Sequence, residues 1–345
     1  VIETLPPLTT TGIGSLPHTD VKAAMREAFR VDVPYLPELP MRDAREFMLA
    51  HATERIPGIV VDREGMIALD VEAWKKGRGA FDDALHKAIE EDDVKAFLPS
   101  EPYQAALFPF LDTISSEKVK VAKVQIAGPL TVQWSLRTTS GEVPPAAALT
   151  HVSRTILARS LAIAQAVGET GARPLVFFDE PGLYAFSRTQ PRHLMMMQEL
   201  RINVMALKKH GASVGLHCCS DADWGTLMGL GLDVLAIDAK LSLQSLLKSG
   251  ETLVTFTSMG GRLALGVIPT NHGETASIAD LLQGMSDRLA TLEQYFPTRA
   301  SIFEHILSRS LLTPACGLAL KTEREAETII DQLRDFRSAY KNARS

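Results

Sequence analysis

Ser213-Val-Gly-Leu-His-Cys-Cys219 is an apolar run that ends in a histidine and two cysteines. Read as a strand, it sends alternate side chains to opposite faces, so His217 and Cys219 point one way and Cys218 the other. A stretch of helical periodicity precedes it at 193–210, a short helix follows at 224–229, and Val234-Leu-Ala-Ile-Asp238 is another apolar run. Strand, helix and strand in that order make a parallel βαβ unit.

The unit repeats in both directions. Strands are expected at 9–15, 35–38, 119–126, 175–179, 213–219, 234–238, 262–268 and 305–312, and helices at 21–30, 146–167, 193–210, 243–248, 278–292 and 322–340. Eight such strands close an α/β fold of the (β/α)8 TIM-barrel type, which runs to about 250 residues and beyond as one unit. A single barrel domain over 1–345 is therefore expected. The N-terminal half carries an insertion, with helices at 42–54, 81–97 and 103–114. Within it, Ile59-Val-Val-Asp-Arg-Glu-Gly-Met-Ile-Ala-Leu69 reads as a β-hairpin turning at Asp62 to Gly65.

Composition narrows the function. With 36 basic against 41 acidic residues and no basic block, there is no electrostatic reason to expect nucleic acid. No uninterrupted apolar run reaches the roughly 18 residues of a membrane span, and the start does not resemble a signal peptide. A cytoplasmic protein with no membrane association is expected. Three cysteines cannot make a disulfide framework, and in a reducing compartment clustered cysteines are more often metal-binding or catalytic.

In a barrel the chemistry sits at the C-terminal ends of the strands. There the sequence places Ser15, Glu38, Asp179, His217, Cys219, Asp238 and His272. Cys316, in Leu312-Thr-Pro-Ala-Cys-Gly317, follows the last strand and can be turned toward His217 and Cys219 by Pro314 and Gly317. One imidazole and two thiolates, with a fourth ligand, make a tetrahedral Zn2+ shell. Asp238 offers either that fourth ligand or a helix N-cap. A shell with two thiolates is electron-rich, so it suits activation of a substrate thiol better than hydrolysis. Asp179 can hold a substrate ammonium, and Ser15 with its neighbouring amides a carboxylate. Trp134 either stacks on a flat substrate or packs in the core.

These residues carry a resemblance. Gly14-Ser-Leu-Pro-His18, Ala127-Gly-Pro-Leu-Thr131 with Trp134-Ser135, Asp179-Glu-Pro181, His217-x-Cys219 and Pro314-x-Cys-Gly-Leu318 occur in one order over nearly the whole chain. Together they resemble the catalytic barrel of cobalamin-independent methionine synthase, in its short single-barrel form. The resemblance implies a TIM barrel and a zinc-bound thiolate that takes a methyl group, most simply homocysteine becoming methionine. It implies Zn2+ on His217, Cys219 and Cys316, with Asp238 where the family has glutamate, Ser15 and Asp179 on the amino-acid end of homocysteine, and Glu38 as a further substrate-binding residue. The methyl donor would be a methyl-corrinoid protein or methyltetrahydrofolate.

The chain departs from the family at two motifs. In Pro37-Glu-Leu-Pro40, Glu38 matches the first glutamate of a Gly-Glu-x-Glu motif and Pro40 replaces the second. In Pro269-Thr-Asn-His272, the histidine of a catalytic Asp-x-His is displaced by one residue, leaving His272, with Asp179, as the candidate catalytic groups. The other readings open at this point are another alkyl-thiol transferase of the superfamily that includes uroporphyrinogen decarboxylase, and a barrel whose zinc is structural and which catalyses nothing.

Overall fold

Strands buried on both faces need a covering layer of helices on one side and packed side chains on the other. Five strand stretches of this chain, Val121–Ala127, Ser213–Cys218, Val234–Asp238, Arg262–Ile268 and Leu311–Pro314, are buried at every position. The structure is a computed structural model that describes residues 2–271, 276–295 and 300–343. In chain order its strands are β1 (Ile59–Val61), β2 (Ile67–Leu69), β3 (Val121–Ala127), β4 (Arg137–Thr138), β5 (Arg173–Asp179), β6 (Ser213–Cys218), β7 (Val234–Asp238), β8 (Arg262–Ile268) and β9 (Leu311–Pro314). Six of them form one parallel sheet in the order β3-β5-β6-β7-β8-β9. Helices Ala146–Glu169, Pro191–Lys209, Ala239–Lys248 and Gly250–Ser258 connect successive strands. The fold is thus mixed α/β with a parallel sheet.

The strands expected at 9–15 and 35–38 are not regular. Both segments are extended and joined to their neighbours by isolated parallel bridges, Thr10 to Leu312, Ser15 to Glu38 and Tyr35 to Lys123. The bonds are ordinary: Thr11 N–H donates to the Leu312 carbonyl at 3.0 Å, and Lys123 N–H to that of Pro34 at 2.9 Å. Pro34, Pro37 and Pro40 bring no amide hydrogens, so a continuous ladder cannot form there.

Other boundaries moved for identifiable reasons. Residues 305–308, expected to begin a strand, belong to helix Ala300–Ser308, and β9 starts only at Leu311. A short apolar run such as Ile306-Leu307 fits a helix face as well as a strand face. The helix expected from Phe81 begins at Val71, where the Asp70 carboxylate accepts from the amides of Glu72 and Ala73, each at 3.0 Å. The expected hairpin is present: β1 pairs antiparallel with β2, and Asp62 Oδ1 accepts from the amides of Glu64 (2.8 Å) and Met66 (2.9 Å) in the turn. β4 adds to β2 in parallel. No helix among the described residues is long and apolar enough to cross a membrane.

The apolar residues divide into two clusters. The larger lies between helices and sheet. The smaller gathers Ile2, Val33, Val121, Leu175, Phe177, Val234, Ala236, Ala264 and Leu311, which occupy the opposite face of the sheet near the strand N-termini. Two-residue steps from those positions lead to Lys123 and Gln125 on β3, Asp179 on β5 and His217 between them and β7, so the same face turns from apolar to polar along the strands. The apolar end is tied to the N-terminal segment by Arg262, which is buried at the start of β8. Its guanidinium donates to the carbonyls of Ile2, Leu5 and Arg309, each at 2.8 Å.

Replacing Arg262 with methionine keeps much of the apolar stem but strands those carbonyls. The Arg262→Met protein is expected to lose about 2–4 kcal/mol of stability in urea denaturation while keeping any bound metal in full.

Candidate metal centre

β6 settles which cysteine does what. Cys218 faces the helices: it is fully buried, belongs to the larger apolar cluster, and its thiol meets the Ser220 carbonyl at 3.4 Å. Burial pushes that thiol up to about 11. His217 and Cys219 face the other way, as the alternation requires.

Cys316 reaches them from the far side of the sheet because β8 and β9 approach unusually closely at their C-terminal ends. Their pairing shifts register between Gly266 and Ile268, and a Cβ on Gly266 would lie 2.6 Å from Ala315 Cα. The next turn passes as tightly over Ser15, whose Oγ would be 2.2 Å from a Cβ on Gly317. The result is a cluster in which one ligand atom each of His217, Cys219 and Cys316 lies within 4.8 Å of the others.

The donor set fits a metal ion. Both ring nitrogens of His217 are buried without a hydrogen-bond partner in the protein, an arrangement that is costly unless something else meets them. The neighbouring Cys316 thiol pushes Cys219 up, against the pull of His217, and Cys219 in turn holds Cys316 below the ordinary thiol value. A cation would relieve both conditions at once.

Around the cluster is a cavity of about 400 Å3 whose wall includes Ser15, Glu38, Asp179, Phe47, Met48 and Asn271 as well as the three ligands. Three expected substrate-binding residues, Ser15, Glu38 and Asp179, are thus brought to the metal cluster. Glu38 Oε1 and Asp179 Oδ1 are buried and have no hydrogen-bond partner. Burial, reinforced by the nearby Asp179, pushes the Glu38 carboxyl up to about 8. Burial also raises Asp179, against the pull of His217 and Lys123.

Two expected site residues are found in other roles. Asp238 is not in the His217, Cys219 and Cys316 group. The helix Ala239–Lys248 begins directly after β7, and its first amides need an acceptor; Asp238 Oδ1 takes Lys240 N–H at 2.7 Å and Leu241 N–H at 3.0 Å. Trp134 does not line the cavity, because it sits on helix Pro129–Ser135 and packs edge-on against His193 with ring centroids 4.9 Å apart. His272 lies outside the described residues.

The structure adds residues that the motif reading passed over. Lys123 and Gln125 lie buried on β3, with Lys123 Nζ donating to Gln125 Oε1 at 3.1 Å and to the Ile13 carbonyl. Burial holds Lys123 down to about 8. Their signal was present in the sequence: lysine and glutamine at alternate positions of the otherwise apolar Val121-Ala-Lys-Val-Gln-Ile-Ala127. Glu180 separates from Asp179 in role. Its carboxylate accepts from Leu130 N–H (3.0 Å), Thr131 N–H (2.7 Å) and Thr131 Oγ1–H (2.6 Å), anchoring the helix that follows Gly128-Pro129.

Neither a protein-family model nor a curated protein sequence matches this chain. The chemistry of the site therefore rests on its donors and their placement.

Metal analysis of dialysed protein is expected to give about one metal per chain, largely lost in Cys219→Ala and Cys316→Ala and kept in Cys218→Ala, since only the first two thiols face His217. Asp238→Ala should keep its metal and lose about 1 kcal/mol of stability, the cost of an N-cap. Metal loss in Asp238→Ala, by chelator competition, would return that carboxylate to the coordination shell.

Proposed function

We propose that this chain is a zinc-dependent methyltransferase on a closed (β/α)8 barrel, transferring a methyl group to a thiol, most simply homocysteine to give methionine. Two extended segments bridging β9 to β3 support the barrel reading, because they supply the two staves that the six-stranded sheet lacks. The observation that carries the function is the position of the His217, Cys219 and Cys316 cluster. Its donors come from two separate strand ends and open onto a cavity shared with Ser15, Glu38 and Asp179. A purely structural zinc takes its ligands from tight knuckles and is closed by four protein groups.

Soft thiolates with one imidazole favour zinc among the common divalent ions. Bound there, zinc would hold a substrate thiol as thiolate at neutral pH, the nucleophile that methyl transfer needs. The rest of the work falls to the chain. Glu38 and Asp179 turn buried carboxyl groups with one unpartnered oxygen each toward the place of the substrate ammonium, whose charge would favour their ionised forms, and Ser15 stands at the cavity wall for its carboxylate. Phe47 and Met48 give the cavity an apolar side next to the reacting sulfur.

For the donor, a methyl-corrinoid asks less of the chain than methyltetrahydrofolate. A cobalt–carbon bond breaks without protonation, whereas a methyl group on an amine needs a positioned acid. Asn271, on the cavity wall, occupies the acid position of the resemblance, with His272 one residue off register, and an amide cannot supply that proton.

Zinc K-edge spectroscopy with and without homocysteine tests the reading, with one added sulfur ligand expected. An unchanged shell would mean a structural metal instead. In the transfer assay, methylcobalamin is expected to serve as donor in preference to methyltetrahydrofolate. Activity with the folate alone would reverse the argument from Asn271 and make His272→Ala the next variant.

A further inference from the structure

A second set of unpartnered polar groups lies outside the cavity, between helix Met48–Thr53 and helix Ala146–Glu169, which pack against each other. His51, Thr155 and Arg159 are each 0% exposed. Arg159 uses only one nitrogen within the protein: Nη2 donates to Glu54 Oε2 at 2.8 Å and to the Glu54 carbonyl at 3.2 Å. Its Nε and Nη1, both ring nitrogens of His51 and the Thr155 hydroxyl have no partner. These groups share one region. Thr155 and Arg159 are four residues apart and so lie on the same side of their helix. His51 stands about one turn before Glu54, the residue that holds Arg159. It is near enough to Arg159 for that charge to add to burial in holding the imidazole well below its ordinary value.

Hydrogen bonding and charge both say what fits among them. The free nitrogens of Arg159 only donate, whereas neutral His51 brings one donor and one acceptor and Thr155 can act either way. Unmet donors therefore exceed unmet acceptors. The Glu54 carboxylate is also shared, because Arg55 Nε lies 3.7 Å from its Oε1 while Arg159 holds Oε2. Two guanidinium groups thus meet one carboxylate. Buried donors of a charged group are costly when unmet. A water molecule brings as many donors as acceptors and no charge, whereas an anion brings acceptors alone and the negative charge that is missing.

We propose that Arg159, His51 and Thr155 form an interior binding site for a small inorganic anion of the size of chloride. Complete burial of all three side chains excludes a larger ligand. The ion would tie helix Met48–Thr53 to helix Ala146–Glu169, and the first of these begins at Met48 on the cavity wall. The site does not depend on methyl transfer and stands whether or not that reading does.

The test is urea denaturation of the full chain in mixtures of sodium chloride and sodium gluconate at constant ionic strength. An ion bound only by the folded state stabilises it by mass action, so above the dissociation constant a tenfold rise in chloride is expected to lower the unfolding constant about tenfold. Thr155→Val keeps the side-chain shape and removes one donor, and is expected to need about tenfold more chloride for the same effect. His51→Phe is expected to shift the dependence in the same direction. Neither residue lines the cavity, so chloride held by a metal there, or on the surface, would act equally on all three proteins. A chloride dependence identical in all three means an adventitious ion only and overturns the proposal. Absence of any dependence in the unsubstituted protein overturns it too, since water would then meet the donors. If His51→Phe does not fold, the comparison with Thr155→Val decides alone.

Discussion

The structure depends on one constraint: strands buried on both faces must fill two environments with alternate side chains. On the helix side the residues are apolar throughout, and Cys218 is one of them. On the other face they are apolar only near the strand N-termini, where Val121, Leu175, Val234, Ala264 and Leu311 meet. The same face then carries Lys123, Gln125, Asp179 and His217. Polar groups gathered at one end of a packed interior are costly unless each has a partner or a ligand, and this gradient is why the cavity and the candidate metal ligands share one place.

The polar end is organised by two kinds of carboxylate. Glu180 and Asp238 are satisfied, each accepting backbone amides at the start of a helix. Their work is to let helices begin directly after strands, which keeps the loops short and the strand ends fixed. Glu38 and Asp179 are unsatisfied and look into the cavity. The distinction between adjacent Asp179 and Glu180 follows from the pleat, which turns one into the cavity and leaves the other against the amides of Leu130 and Thr131.

Where the sequence misled, it did so through local ambiguity. The run around Ile306-Leu307 satisfies a helix or a strand, and the helix formed. A strand was expected at 35–38, but Pro34 and Pro37 lack amide hydrogens, and the segment pairs only by isolated bridges. Asp238 carried two readings, ligand and N-cap. Its Oδ1 is taken by the first amides of the helix that starts at Ala239, which have no partner within the helix. Trp134 was similarly divided, and packing against His193 took it.

The sequence by itself determined the order of strands and helices, since hydrophobic periodicity is a local property. It also determined that His217 and Cys219 share a face from which Cys218 is excluded, because a two-residue period needs no tertiary information. Only the tertiary structure decided that Cys316 joins them. That depends on the backbone of β9 crossing within reach of Gly266 and Ser15, contacts between residues far apart in the chain that no local pattern encodes. The same holds for Lys123: its residue type was visible in an apolar strand, but its bond to the Ile13 carbonyl and its place over the Phe177 ring exist only once distant segments lie side by side.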